Sequence, residues 1–268
     1  MFVSTVSNSK HSLYFQCKLA YKYRYHDRYV GTPKNALALN FGSYIHKILE
    51  DGYEAKHIST LQDLAEEHKA AFKIPNHYRD RTELCLRNFL KWNANLSETI
   101  GTEIKYEVDL AEGITVNGII DRVIKGTDGG VLIVDYKTSK REKQAHDLFF
   151  DKQLQGYAYA IHKELGVSLD KITCAHYYPV TNNFVTVKFG RKRMAVWQNK
   201  LIEDVWKMRK AKVNDLFPTE NQFCNWCDYK ELCPIHTKPG KLQENLKNAK
   251  KKPTRKKKPQ EDPALIPE

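Results

Sequence analysis

Two carboxylates and a lysine are the residues best suited to chemistry in this chain of 268 residues. Asp135, Tyr136 and Lys137 end the run VLIVDYK, a short and nearly continuous apolar stretch that suits a buried strand. Alternate side chains on a strand share a face, so Asp135 and Lys137 project together while Tyr136 points the other way. Asp121 ends another strand-like run, GIID, one hairpin-like connection earlier. If these strands are neighbours, two carboxylates and one ammonium converge at one end of a sheet. That set suits the cutting of a phosphodiester. Carboxylates hold a hard cation such as Mg²⁺, the cation activates water and stabilises charge on the phosphate oxygens, and the lysine orients that water or neutralises the transition state. A D-x-K sequence alone is more often a solvated or salt-bridged strand end, so its companions decide its weight. Gln153 and Tyr157, at i and i+4, share one face of the next expected helix. A packed tyrosine beside an exposed glutamine would give the same pattern. His46 borders an apolar helical stripe, where a histidine is more often a satisfied core residue than a ligand.

The cysteines form a second chemical group. Cys224, Cys227 and Cys233 give the spacing C-x₂-C-x₅-C, and with no secretory signal in MFVSTVSNSK a disulfide framework is not expected. Three thiolates leave a four-coordinate centre one ligand short, and Cys17, in LYFQCKLAYKYRY, is the best candidate for the fourth. Spacing alone leaves zinc and an iron–sulfur cluster both open. Cys85 and Cys174 read as buried core thiols.

The elements that must position these groups follow from periodicity. Asn8 to Tyr25 reads as a helix opened by Ser7 or Ser9, and Gly31 to Leu39 as a loop. Helical spacing returns over Phe41–His57, over Leu61–Phe72 with a Ser59 or Thr60 cap, and over Arg81–Leu96, whose apolar face is Leu84, Cys85, Phe89 and Leu90. Glu103–Leu110 and Ile114–Ile124 read as a hairpin around Ala111-Glu112-Gly113, followed by the VLIVDYK strand. A helix over Phe150–Leu165, strands over Ile172–Val180 and Phe184–Phe189, and a long helix over Arg191–Val213 complete the pattern. There is no internal repeat. The order predicts an α/β core with a helical front piece.

Composition sets the outer limits. Hydrophobic content of 41% excludes wholesale disorder, and apolar runs such as Val131–Val134 are too short to span a membrane. Lys and Arg outnumber Asp and Glu by 44 to 32, a formal charge of +12 that points to a polyanionic partner, nucleic acid before membrane. Residues 238–268 hold ten of the basic residues against four acidic ones, with little apolar content. They read as a disordered basic tail, either an electrostatic arm for nucleic acid or a solubilising or localisation segment. Tyr14, Phe15, Tyr21, Tyr23 and Tyr25, interleaved with Lys18, Lys22 and Arg24, could line a single-strand path or could pack the cysteine lobe.

Together these residues resemble the PD-(D/E)XK nuclease superfamily, specifically its RecB-type branch. That branch carries a G-x-x-x-H-x-x-L-E helix, matched by Gly42 to Glu50, and a G-x-x-D strand, matched by Gly118 to Asp121. A D-x-K strand and a following Q-x-x-x-Y helix are matched by Asp135–Lys137 and Gln153–Tyr157. The proline that names the superfamily is replaced by Ile120. The resemblance covers residues 7–237 and implies a restriction-endonuclease-like core, a central mixed β-sheet flanked by helices. That core would span about residues 41–190, with a helical N-terminal region and a Cys-rich C-terminal lobe built from 7–30 and 214–237. It implies His46, Asp121, Asp135 and the Tyr136 carbonyl as ligands of Mg²⁺ or Mn²⁺, Lys137 as the residue serving the attacking water, and Gln153 and Tyr157 as supports for substrate or metal. Glu107, where an acidic residue often precedes the G-x-x-D strand, is optional. Iron–sulfur members of the branch, including the AddB-type helicase-nucleases and CRISPR-associated spacer-acquisition nucleases, place one cysteine before the core and three after it. The resemblance therefore favours a [4Fe–4S] cluster on Cys17, Cys224, Cys227 and Cys233, with Zn²⁺ as the alternative.

The implied activity is a metal-dependent DNA exonuclease with a preference for single strands or free ends, acting in recombination, repair or DNA processing. With no helicase segment or P-loop it would stand alone and work in the cytoplasm, away from membranes, with a recombination, replication or integrase protein as partner. A spacer-acquisition nuclease working with an integrase complex is a related expectation. A DNA-binding iron–sulfur or zinc protein with a vestigial nuclease site is the contrasting one.

Overall fold

Ser7 opens the first helix by accepting a hydrogen bond from the Lys10 backbone N–H, the role its hydroxyl suits at a helix start. In this computed structural model, which describes residues 3–126 and 128–253, that cap lies between β1 (Thr5–Ser7) and α1 (Asn8–Gln16). The expected single helix to Tyr25 is interrupted. Cys17 is extended (φ −158°, ψ 112°), α2 (Lys18–Tyr21) restarts after it, and a π-helical turn covers Lys22–His26.

The helical front piece is α3 (Ala36–Asp51), α4 (Ile58–Lys69) and α5 (Arg79–Asn93). Phe41, Tyr44, Ile45, Ile48 and Leu49 recur along one side of α3 and are all buried, each contributing ~1.5–3 kcal/mol relative to exposure. Two sequence expectations shift here. His57, not Ser59 or Thr60, is the residue before α4. The buried stripe of α5 is Cys85, Leu86 and Phe89, while Leu84 is 45% exposed.

The sheet strands are β2 (Thr99–Ala111), β3 (Ile114–Lys125), β4 (Val131–Tyr136), β5 (Ile172–Tyr178) and β6 (Asn183–Val187). Between β4 and β5 lie α6 (Ala145–Phe149) and α7 (Lys152–Leu165); α8 (Arg191–Lys210) and α9 (Pro239–Asn248) follow the sheet. The path is β1-β3-β4-β5-β6, with β2 paired to β3. β3 and β4 are antiparallel with Arg122 opposite Val134, β4 and β5 are parallel with Asp135 opposite His176, and β5 and β6 are antiparallel. The parallel pair requires a crossover, which α6 and α7 supply. This mixed sheet flanked by helices is the α/β arrangement that the resemblance implies.

The chain divides into two compact units. One holds the described residues up to Ala36, Asp109–Thr115 and those from Lys200 onward; the other holds Leu37–Val108 and Val116–Asn199. The second unit's core packs α3, α4 and α5 residues with Ile124, Val134, Tyr136 and Tyr177 of the sheet. The first unit has a smaller core of Leu19, Ala20, Tyr23, Tyr229 and Leu232. Leu246 and Ala249 pack against this smaller core, and Tyr29 bridges Lys251. So residues 239–248 are helical where composition predicts a disordered tail. Pro239 at the first turn and apolar Leu242 and Leu246, one turn apart, give that short segment a start and a face. The remainder of the expected tail, from Thr254, lies outside the described residues. Among the described residues no helix is long and apolar enough to cross a membrane.

Candidate active site

The end of β4 lies beside the middle of β3, in antiparallel register with Arg122 opposite Val134, and this brings Asp135 next to Asp121. Asp121 therefore lies inside β3, which runs on to Lys125, and not at a strand end as the GIID run suggests. Both carboxylates are buried. Asp121 Oδ2 accepts the Tyr136 backbone N–H at 2.7 Å, which fixes the carboxylate against the neighbouring strand. Asp135 Oδ2 pairs with the Lys137 ammonium. Lys137 Nζ also reaches Gln153 Oε1 at 3.5 Å, and Gln153 Nε2 donates to Tyr157 Oη at 2.6 Å. The helical i, i+4 pair and the strand lysine therefore form one continuous polar line from α7 to β4.

α3 brings His46 to the same end. Its Nε2–H donates to the Tyr136 carbonyl at 2.9 Å, and that bond assigns the tautomer, leaving Nδ1 as the lone-pair nitrogen. Nδ1 lies 3.5 Å from Asp121 Oδ2. His46, Glu103 and Asp121 each offer a ligand atom, and these atoms lie within 4.8 Å of one another, close enough to share one cation. Glu103 was not among the candidate residues. Glu107, the optional acid of the same strand, instead sits on the exposed side of β2. The reason is backbone geometry: Glu103 has φ 47°, a left-handed conformation that breaks the strand's simple alternation. An acidic residue two positions after Gly101 was the one sequence signal available.

The electrostatics fit a cation. Burial, reinforced by the Asp135 charge, pushes the Asp121 carboxyl up to about 8, against relief from the Tyr136 N–H and Lys137. Glu103 is raised by burial, then by Asp121 and Glu50. Burial lowers the His46 imidazole, so it is neutral and able to ligate. Two crowded carboxyl groups whose ionisation burial disfavours are groups that a nearby cation would stabilise in their charged form. Lys137 goes the other way. Burial pulls it down, but the Asp135 carboxylate, with Asp121 and Asp151, outweighs this and raises it, so it stays an ammonium.

Two glycine and histidine positions support the arrangement. A side chain at Gly118 would place its Cβ 2.6 Å from Tyr106 Oη, and Tyr106 in turn packs edge-on against Tyr157. On β5, fully buried His176 faces the carboxylates, its Nε2 3.6 Å from Asp135 Oδ2 and 3.8 Å from Asp151 Oδ2. His176 carried no motif and was invisible to spacing.

In the other unit, Cys17, Cys224, Cys227 and Cys233 line one cavity of about 130 Å³, together with Leu13, Ala20 and Trp226. The break at Cys17 orients its thiol into this space, and the Asn221 amide, donating to Gln16 O at 2.9 Å, holds the two segments together. Burial raises the Cys227 and Cys233 thiols; backbone N–H groups of Tyr229, and of Ile235 and His236, act against it. Cys85 and Cys174 are fully buried in the second unit, as core thiols.

The sequence model of the PD-(D/E)XK nuclease superfamily matches residues 5–234. No curated protein sequence is detectably similar. Among solved structures, one titled "Putative exonuclease" from Eubacterium rectale superposes with a TM-score of 0.55 at 13% identity, covering 84% of this chain and 88% of that one. A structure titled SSO0001 aligns over 87% of both chains at 16% identity with a TM-score of 0.38. The family match spans both units and all four motifs, and on that footing the chain belongs to the PD-(D/E)XK nuclease superfamily.

Proposed function

We propose that this protein is a divalent-metal-dependent deoxyribonuclease, an exonuclease preferring single-stranded DNA or free ends, serving recombination, repair or DNA processing. The observation that carries the reading is the convergence of Asp121, Asp135 and Lys137 beside the His46–Glu103–Asp121 ligand group. His46, Glu103, Asp121, Asp135 and the Tyr136 carbonyl are the residues that would hold Mg²⁺ or Mn²⁺. Bound there, the ion would supply an activated water and charge stabilisation at the phosphate. Oxygen donors with one neutral imidazole suit a hard or borderline ion of this kind.

The chain's own contribution is positioning and charge. Because Lys137 stays protonated, it serves as a donor to the attacking water or a phosphate oxygen, not as a base. Gln153 holds the ammonium from α7, and Tyr157 fixes Gln153. Asp135 keeps Lys137 aimed at the site. The exonuclease title of the Eubacterium rectale structure supports the choice of reaction class.

For the four cysteines we infer a [4Fe–4S] cluster. The placement of one cysteine before the core and three after it, which the resemblance ties to iron–sulfur members of the branch, favours the cluster over zinc, and all four cysteines line one cavity. The cluster would act as a staple, since Cys17 and Cys233 enclose most of the chain. Iron and acid-labile sulfide in an anaerobic preparation are expected; zinc without iron would overturn the assignment.

The nuclease reading is tested with end-labelled single- and double-stranded DNA in Mg²⁺ or Mn²⁺, comparing wild type with Asp135→Asn and Lys137→Ala. Loss of cleavage in both variants is expected. Wild type that cuts nothing, or variants that cut equally well, would refute it and favour a DNA-binding role with a vestigial site.

A further inference from the structure

Phe150 is 62% exposed, more than any other large apolar side chain described in the catalytic unit. It stands beside Phe149, which is 39% exposed, with ring centroids 5.4 Å apart and planes nearly perpendicular. The pair is rigidly mounted. Phe149 O accepts from the buried Gln155 amide at 2.8 Å and from Arg193 Nε at 3.1 Å. The Arg193 guanidinium lies over both rings, 5.0 Å from one centroid and 4.8 Å from the other. One ring face is thus occupied and the platform stays solvent-accessible.

Its location ties it to the reacting centre. Phe150 is followed by Asp151, whose side chain caps α7, the helix bearing Gln153 and Tyr157. Asp151 and Asp135 both lie within 4 Å of the His176 ring nitrogen. The loop leaving Lys137 toward α6 carries exposed Lys140 and Arg141, while Lys143 pairs with Asp151 at 2.7 Å. Exposed rings together with exposed basic side chains form the combination that takes a single strand, with bases on the aromatics and phosphates on the cations.

We propose that Phe150, backed by Phe149 and Arg193, is a stacking platform for one unpaired base of the strand being cut. Only an unstacked base offers its face, so the platform selects single-stranded or frayed DNA over intact duplex. The proposal rests on the nuclease reading, and deepens it by naming the substrate's conformation.

The test combines steady-state cleavage of a single-stranded oligonucleotide in Mn²⁺ with its binding in EDTA, followed by fluorescence anisotropy. Phe150→Ala and Phe150→Leu should each weaken binding and raise KM about tenfold, and Phe150→Trp should restore both. A single abasic nucleotide walked along the strand should reproduce the loss at one position in wild type, with no further loss there in Phe150→Ala. Equal binding by wild type and Phe150→Ala, or equal abasic penalties in both, would overturn the platform. Rescue by leucine would overturn stacking in favour of plain apolar contact. Wild type that binds through Phe150 but cleaves nothing would sink the nuclease reading and leave the platform standing.

Discussion

Asp121→Asn should stabilise the protein while abolishing its activity. The folded state holds the Asp121 carboxyl at about 8, against 3.8 for an ordinary aspartate. Between those values the folded chain keeps a proton that the unfolded chain has lost, so stability falls as pH rises through that window. At roughly 1.4 kcal/mol per pH unit, the cost at pH 7 is about 4 kcal/mol. Asparagine is neutral, nearly the same shape, and its amide oxygen can still accept the Tyr136 N–H that Asp121 accepts at 2.7 Å. It removes the cost and keeps the hydrogen bond, so a gain of roughly 2–4 kcal/mol is expected at pH 7 in EDTA. The measurement is urea unfolding of both proteins at pH 5, 6, 7 and 8, without divalent ions. The difference should be small at pH 5 and widen toward pH 8. Parallel stability profiles, or a destabilised variant, would show that the site does not strain its own carboxylate.

Other expectations follow from the same geometry. Glu103→Gln should cost roughly 10–100-fold in Mn²⁺ affinity by calorimetry, while Glu107→Gln leaves it unchanged. Gly118→Ala forces a Cβ into the Tyr106 ring, at 2.6–2.8 Å, and should lower unfolding stability by about 1–3 kcal/mol. Leu86→Ala should cost about 2–5 kcal/mol in chemical denaturation, whereas exposed Leu84→Ala should cost under about 1. Cys233→Ser should abolish iron incorporation, read by metal analysis and visible absorbance, and a variant that keeps its iron would remove Cys233 from the ligand set.

The strands were legible because a period of two leaves little ambiguity: VLIVDYK places Asp135 at the end of β4, GIID places Asp121 inside β3, which runs four residues further, and the hairpin between β2 and β3 makes β3 available to β4. The parallel pairing of β4 with β5 was not, since it depends on a crossover through α6 and α7. Glu103 escaped because a left-handed residue inside a strand resets which side chains share a face. His176 escaped because nothing local distinguishes a buried histidine aimed at a carboxylate from one filling a core. In α5, Leu84 and Leu86 are equally apolar, and only the packing of Phe89 against Trp92 and Tyr136 selects which stripe turns inward. The tail was judged on its average composition, and that average hid Leu242 and Leu246.

The interrupted first helix has a consequence for the order in which the molecule can be made. Cys17 is made long before its companions, which begin at Cys224, and Tyr23, packed in the same small core, hydrogen-bonds to Leu232 O. At about 5–20 residues per second, the N-terminal segment waits roughly 10–40 s for those partners to emerge. Leu37–Asn199 contains nearly all of the catalytic unit and can collapse during that wait, whereas the cysteine unit can close only once Cys233 has emerged. Any group held by the four cysteines is then loaded only after that closure, and a nascent chain stalled before Cys224 would carry the Leu37–Asn199 segment with Cys17 still unmated.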